Sequence, residues 1–170
     1  MKELFHGFTG YLQSDANRVY AILESGPIAP DELPVSRVGC WAHCRRYFFE
    51  AAVCKYDVGL EGLQRVRAIC RADKPFREQP PSQRKENRFR QVGPLIEDFF
   101  TWVRAERSKA QGRDRATQAL GYARNQEDEL RRVLDDGRLA LDNTRSEGAL
   151  RKIVVGRKNW PEPSSASRDG

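Results

Sequence analysis

At 170 residues the chain fits one domain, or one domain with an insertion, and is long enough to bury a core. Its composition, 39% hydrophobic and 32% charged with a mean hydropathy of -0.73, contains no apolar run of the roughly 18 to 20 residues a membrane span needs, and MKELFHGFTGYLQSD lacks the apolar centre of a signal peptide, so a cytoplasmic protein is expected. A formal net charge of +6 and a pI near 9.3 favour a polyanionic partner, because each Lys or Arg set against a phosphate releases a counterion.

In chain order, GYLQSD (10–15) reads as a short strand that ends in Asp15. ANRVYAILESG follows as a helix with Val19, Tyr20 and Leu23 on one side, stopped at Gly26-Pro27, and PIAPDELP is a loop. SRVGCWAH reads as a buried strand that passes directly into the helix AHCRRYFFEAAVCK. The order strand, helix, strand, helix favours parallel strands covered by helices.

Beyond residue 56 the pattern turns helical. Leu60, Leu63, Val66 and Ile69 predict one helical face, and PFREQPPSQRKE reads as a charged, Pro-rich connector. RFRQVGPLIEDFFTWVRAE predicts a helix with Val92, Leu95, Ile96, Phe99 and Val103 aligned and a kink or restart at Pro94. ATQALGYARNQEDELRRVL reads as a further helix, ended by the Asp-Asp-Gly turn at 135–137. Twelve Lys/Arg against eight Asp/Glu between Arg84 and Arg132 read as a solvated helical surface. After the turn, RLALDN is a brief extended segment, and PEPSSASRDG at the end is expected to be disordered.

Chemistry-bearing candidates are few. CWAHC places Cys40, His43 and Cys44 within five residues, but a structural zinc site needs four ligands and no second pair follows, so buried or incidental thiols are the better reading. Only His6 and His43 are available for a Ser-His-Asp triad, and neither has an evident nucleophile beside it. No Gly-rich phosphate loop is present.

Glu147 is more informative. Thr144-x-x-Glu147 matches a capping box, and Ala149, Leu150, Ile153 and Val154 follow at one-face helical spacing, so capping alone accounts for the glutamate. Capping does not account for Arg145, Arg151, Lys152, Arg157 and Lys158, five basic residues around a single acid. Asp15 has the same two readings, as a cap before ANRVYAIL or as a carboxylate at a strand end. Carboxylates at a strand end and on a nearby helix can converge on divalent ions that activate a water or a 3′-hydroxyl, with the basic residues holding DNA phosphates.

Four blocks, GYLQSDANRVYAIL, VGCWAHCRRYFFEA, RQVGPLIEDFFTWV and LDDGRLALDNTRSEGALRKIVVGRKNW, resemble in order and spacing the transposase of the insertion sequence sixty-six family. The resemblance covers about residues 4–160 and rests most on Asp142-Asn143, Glu147, Ala149-Leu150-Arg151 and Gly156 through Trp160, then on the Trp-Ala-His run followed by Arg45, Arg46 and phenylalanines. It implies a DDE transposase with an RNase H-like core, in which two aspartates and a glutamate bind Mg2+ or Mn2+ for DNA cleavage and strand transfer. By resemblance Asp15 matches the second aspartate and Glu147 the glutamate, both as metal ligands, while Arg145, Arg151, Lys152, Arg157, Lys158, Arg45 and Arg46 are expected on DNA.

The fold class expected is therefore α/β, predominantly helical. It consists of an incomplete RNase H-like core in residues 1–55, a helical insertion in 56–134, a core helix carrying the glutamate in 135–160 and a tail in 161–170. The family's first aspartate and first three strands lie upstream of the matched blocks, and Thr144 and Arg145 replace its usual small residues. A chain that is inactive alone is expected, open to self-association at an uncovered sheet edge. The alternatives are a non-catalytic DNA-binding or regulatory module acting on element ends or on full-length transposase, and a fragment completed by another chain.

Overall fold

A computed structural model describes residues 10–15 and 35–141. Two short strands, β1 (Gly10–Ser14) and β2 (Val35–Gly39), pair in parallel with Gly10 opposite Val35 and Ser14 opposite Gly39. Both expected strands are present, and their parallel pairing agrees with the strand-helix-strand order. The expected helix between them, the capping box and the tail lie outside the described residues.

Cys40 links β2 to α1 (Trp41–Val53), followed by α2 (Asp57–Asp73), a short 3-10 turn (Lys74–Phe76) and α3 (Pro81–Asn87). A π-turn (Arg88–Val92) joins α3 to α4 (Gly93–Lys109). Helices α5 (Arg115–Asn125) and α6 (Glu127–Arg131) complete the order, with a final 3-10 turn at Arg132–Leu134. Among the described residues the chain is thus a predominantly helical α/β structure.

Trp41 organises the core. Its ring lies fully buried at the junction of sheet and helices, 5.3 Å from Phe99 in an edge-on arrangement and 6.0 Å from Phe100. The indole Nε1 donates to the Leu130 carbonyl at 3.1 Å, which satisfies its polar edge. Phe48, Val66, Ile69, Ile96, Val103 and Leu120 extend the same buried cluster across α1, α2, α4 and α5. Each such side chain contributes about 1.5–3 kcal/mol when fully withdrawn from water.

Three sequence expectations are corrected. Leu60 does not join the packed face of α2 but is 53% exposed, and the buried stripe is Gly59, Gly62, Val66, Ile69 and Asp73. Steps of three and four keep this stripe aligned with α1, whereas a strict three-residue repeat drifts around the helix. Gly59 and Gly62 belong to it because α1 approaches closely: a Cβ on Gly59 would sit 2.2 Å from the Ala52 nitrogen, and one on Gly62 would sit 2.2 Å from the Phe48 ring. The supposed connector around residues 75–86 is largely helical, with Pro80-Pro81 at the start of α3 where a missing N–H costs nothing, and Phe76 buried. The single helix expected over 116–134 is broken at Gln126, whose φ of -112° and ψ of 18° lie outside the helical range.

The restart near Pro94 is present as the π-turn. Arg88, its first residue, is fully buried, contrary to the reading of all basic residues from 84 to 132 as solvated surface. Arg88 donates through Nε to Asp73 Oδ1 at 2.5 Å and through Nη1 to the carbonyls of Val133 and Leu139 at 3.2 and 2.7 Å. Several neighbouring cations do lie at the surface in ion pairs, such as Arg104 with Glu127 and Arg131 with Glu97. RLALDN forms no strand over its described residues 138–141, but it is firmly attached to the sheet.

Candidate functional site

Asp15 follows directly on β1, at the end of the parallel pair where both strands finish. Parallel strands present their last residues to the same side, and a carboxylate there stands clear of the hydrogen-bonded ladder. Asp15 is half-buried. Beside it run the N-terminal turn of α1 and the segment that leaves the final 3-10 turn.

That segment is held by two contacts. Gln13 Nε2 donates to the carbonyl of Ala140 at 2.8 Å and also reaches that of Gly39 at 3.3 Å. The first backbone N–H of α1, on Trp41, donates to the Leu141 carbonyl at 2.9 Å. A free helix N–H is thereby satisfied by the arriving chain. Residue 141 therefore sits at the same sheet end as Asp15, with its side chain buried.

Arg88 and Arg132 support this arrangement from behind. Arg88 holds the Leu139 carbonyl, as above, and Arg132 Nη1 donates to the backbone carbonyl of Arg37 in β2 at 2.6 Å. Arg37 in turn pairs with Glu129 at 2.8 Å.

Tyr122 of α5 adds a hydroxyl. Its ring stacks on Tyr47 at 4.4 Å, and its oxygen is buried with no hydrogen-bond partner among the described residues. Burial first, then the neighbouring Cys44, Cys40, Tyr47 and Asp15, pushes this phenol above its ordinary range, so the hydroxyl remains a proton donor. Nothing in the spacing around Tyr122 distinguishes it from a core aromatic.

Cys40 and Cys44 are both fully buried near the same end. Burial pushes the Cys44 thiol far up, with smaller contributions from Cys70 and Cys40, so a thiolate is disfavoured there. Among the described residues no three His, Cys, Asp or Glu side chains group into a metal cage. The accessible donor at the strand end is the oxygen of Asp15, which suits a hard cation such as magnesium rather than a thiophilic one.

Of the residues expected on DNA, Arg45 and Arg46 are described, and both are exposed on α1. Glu147, Arg145, Arg151, Lys152, Arg157 and Lys158 lie outside the described residues. No helix among the described residues is long and apolar enough to cross a membrane.

A sequence model described as Transposase IS66 family matches residues 1–168. The chain belongs to that family. Two relatives of this IS66-family chain, both from Sinorhizobium fredii, are the uncharacterized proteins y4qI and y4hP, each 26% identical, over 155 and 167 residues. Those alignments cover 90% and 91% of this chain but 29% and 30% of the relatives, so the IS66-family chain spans about a third of their length. No solved structure matches it significantly.

Proposed function

We propose that this chain is the part of a DNA transposase that contributes Asp15 and Glu147 to a metal-dependent site for phosphodiester cleavage and strand transfer. On this reading the 170 residues do not catalyse alone, and an additional acid comes from sequence outside them. One observation carries the proposal: the segment that leads to Glu147 is tied, through Ala140 and Leu141, to the sheet end where Asp15 stands. Glu147 is the sixth residue after Leu141. At most about 3.6 Å per residue, that length restricts the glutamate to within about 22 Å of Leu141.

Asp15 provides a fixed carboxylate oxygen there, and Gln13 and Trp41 position the chain that brings the second. Magnesium or manganese, when bound, would stabilise charge on the phosphoryl oxygens and lower the pKa of the attacking hydroxyl. The basic residues Arg145, Arg151, Lys152, Arg157 and Lys158, with Arg45 and Arg46, would hold the phosphates. The proposal includes an incomplete RNase H-like core in 1–55, with 56–134 as an insertion before the glutamate helix.

The test is thermal unfolding of the chain with and without magnesium or manganese, alongside Asp15→Ala and Glu147→Ala. Stabilisation that rises with metal concentration and disappears in both variants is expected. Absence of any metal-dependent shift in the parent chain would refute the shared site.

A second reading, a non-catalytic DNA-binding or regulatory module, is favoured by the exposure of Arg45 and Arg46 on α1. It predicts DNA binding that Asp15→Ala and Glu147→Ala leave unchanged and that needs no metal. Co-purification with a full-length relative would extend that reading, and activity restored by a separately supplied chain would instead support the complementing fragment.

A further inference from the structure

The outer side of the α1–α2 hairpin has a groove of about 650 Å³ lined by Ala42, Arg45, Arg46, Phe49, Leu63 and Arg67. On α1 these residues recur at helical one-face spacing, and Leu63 and Arg67 face them four residues apart on α2. Phe49 is 58% exposed, an uncommon position for a phenylalanine on the helix that also buries Trp41 and Phe48. Among the described residues its lining neighbours include three arginines and no carboxylate. Arg46 Nε donates to Glu50 Oε1 at 3.1 Å, an exposed i,i+4 pair that a phosphate can displace at little cost.

From these features we propose that the groove seats single-stranded DNA, with one unpaired base stacked on Phe49 and the adjacent phosphates held by Arg45, Arg46 and Arg67. A base offers a flat π-face to the phenylalanine, and each phosphate offers two oxygens to a guanidinium fork. A purely apolar protein partner would leave the three arginines desolvated without counter-charge. Duplex DNA keeps its bases stacked on one another and has nothing to place on an exposed ring.

The groove is also well located. Ala42 lies in the first turn of α1, which begins just beyond Gly39, the register partner of Ser14. A strand in the groove therefore starts beside the sheet end that carries Asp15. The inference rests on the transposase reading and adds to it the unpaired state of the DNA at this face.

The experiment is fluorescence anisotropy with the full chain and a labelled oligonucleotide, single-stranded or annealed to its complement, over a salt series. Single-stranded DNA is expected to bind more tightly than duplex. Phe49→Ala should weaken single-strand binding about tenfold, the scale of one base–aromatic stack, with duplex binding unchanged, while Phe49→Trp retains it. Arg45→Ala combined with Arg67→Ala should weaken binding and flatten the salt dependence by about 1.4 in log–log slope.

Equal affinity for the two forms, or no effect of Phe49→Ala on single strands, overturns the seat. So does a Phe49→Ala chain whose DNA binding is intact but whose self-association is lost, since the face is then a protein interface. The metal-dependent stabilisation through Asp15 and Glu147 is measured without DNA, so its survival or loss reports separately on the transposase site.

Discussion

Asp73 and Arg88 have side chains only 1% exposed, and their pairing closes a circuit of hydrogen bonds from the end of α2 to the carbonyls of Val133 and Leu139. A buried ion pair is weak evidence of net stabilisation, because both charges lost their hydration, but removal of one partner leaves the other charge stranded. Arg84 reaches the same carboxylate at 3.5 Å, and burial, followed by repulsion from Arg88, lowers its pKa. Two guanidiniums thus share one acid. Arg88→Ala is expected to cost about 3–5 kcal/mol in urea unfolding. Because Arg88 also holds Leu139, the same variant should weaken the metal-dependent stabilisation attributed to Asp15 and Glu147. A cost below about 1 kcal/mol would show that Asp73 is rehydrated or fully served by Arg84. None of this was visible in the local sequence, where Arg88 stands among eleven other basic residues of similar surroundings.

Among the described elements, α1 and α2 have the most extensive contact, and glycine makes the approach possible. A side chain at Gly62 meets the buried Phe48 ring, which is itself held edge-on by Phe99 at 5.9 Å and cannot withdraw. Gly62→Ala gains about 1 kcal/mol in intrinsic helix propensity, yet the clash should outweigh it. A net loss of about 1–3 kcal/mol is expected from denaturant titration, with Leu60→Ser on the exposed side of the same helix changing stability little. Stabilisation by Gly62→Ala would mean that the helices separate more readily than the packing indicates. Helix α2 itself was legible from its apolar residues. Its packed face was not, because two of the five buried positions are glycines, which carry no hydrophobic signal.

For the whole molecule, surface charge makes stability depend on acid. Hydrogen bonds from Arg138 hold Asp136 down at about 2, Arg131 lowers Glu97, and the Thr117 N–H lowers Asp114, the cap of α5. Each carboxylate has a folded pKa below its unfolded value, so its contribution is complete above about pH 4.5 and is lost as pH falls toward 2. All three are close to solvent, so salt should reduce the effect. Melting temperatures are therefore expected to be level from about pH 7 to 5 and to fall between about pH 4 and 2, less steeply at high salt. A level profile down to about pH 2 would contradict the ion-paired surface.

The sequence alone determined the two strands, the parallel order, most helix positions and, through blocks matched in order and spacing, the family. These are properties of residues near one another along the chain: apolar periodicity, proline at helix starts and motif spacing. Tertiary structure alone decided that Arg88 is buried, which side of α2 packs, and that Gln13 and Trp41 bind the segment at 140–141 to the strand end beside Asp15. Those outcomes depend on partners far away in sequence, as with Gln13 and Ala140, which lie 127 residues apart. No local pattern encodes such a partner; it exists only once the core has brought the two segments together.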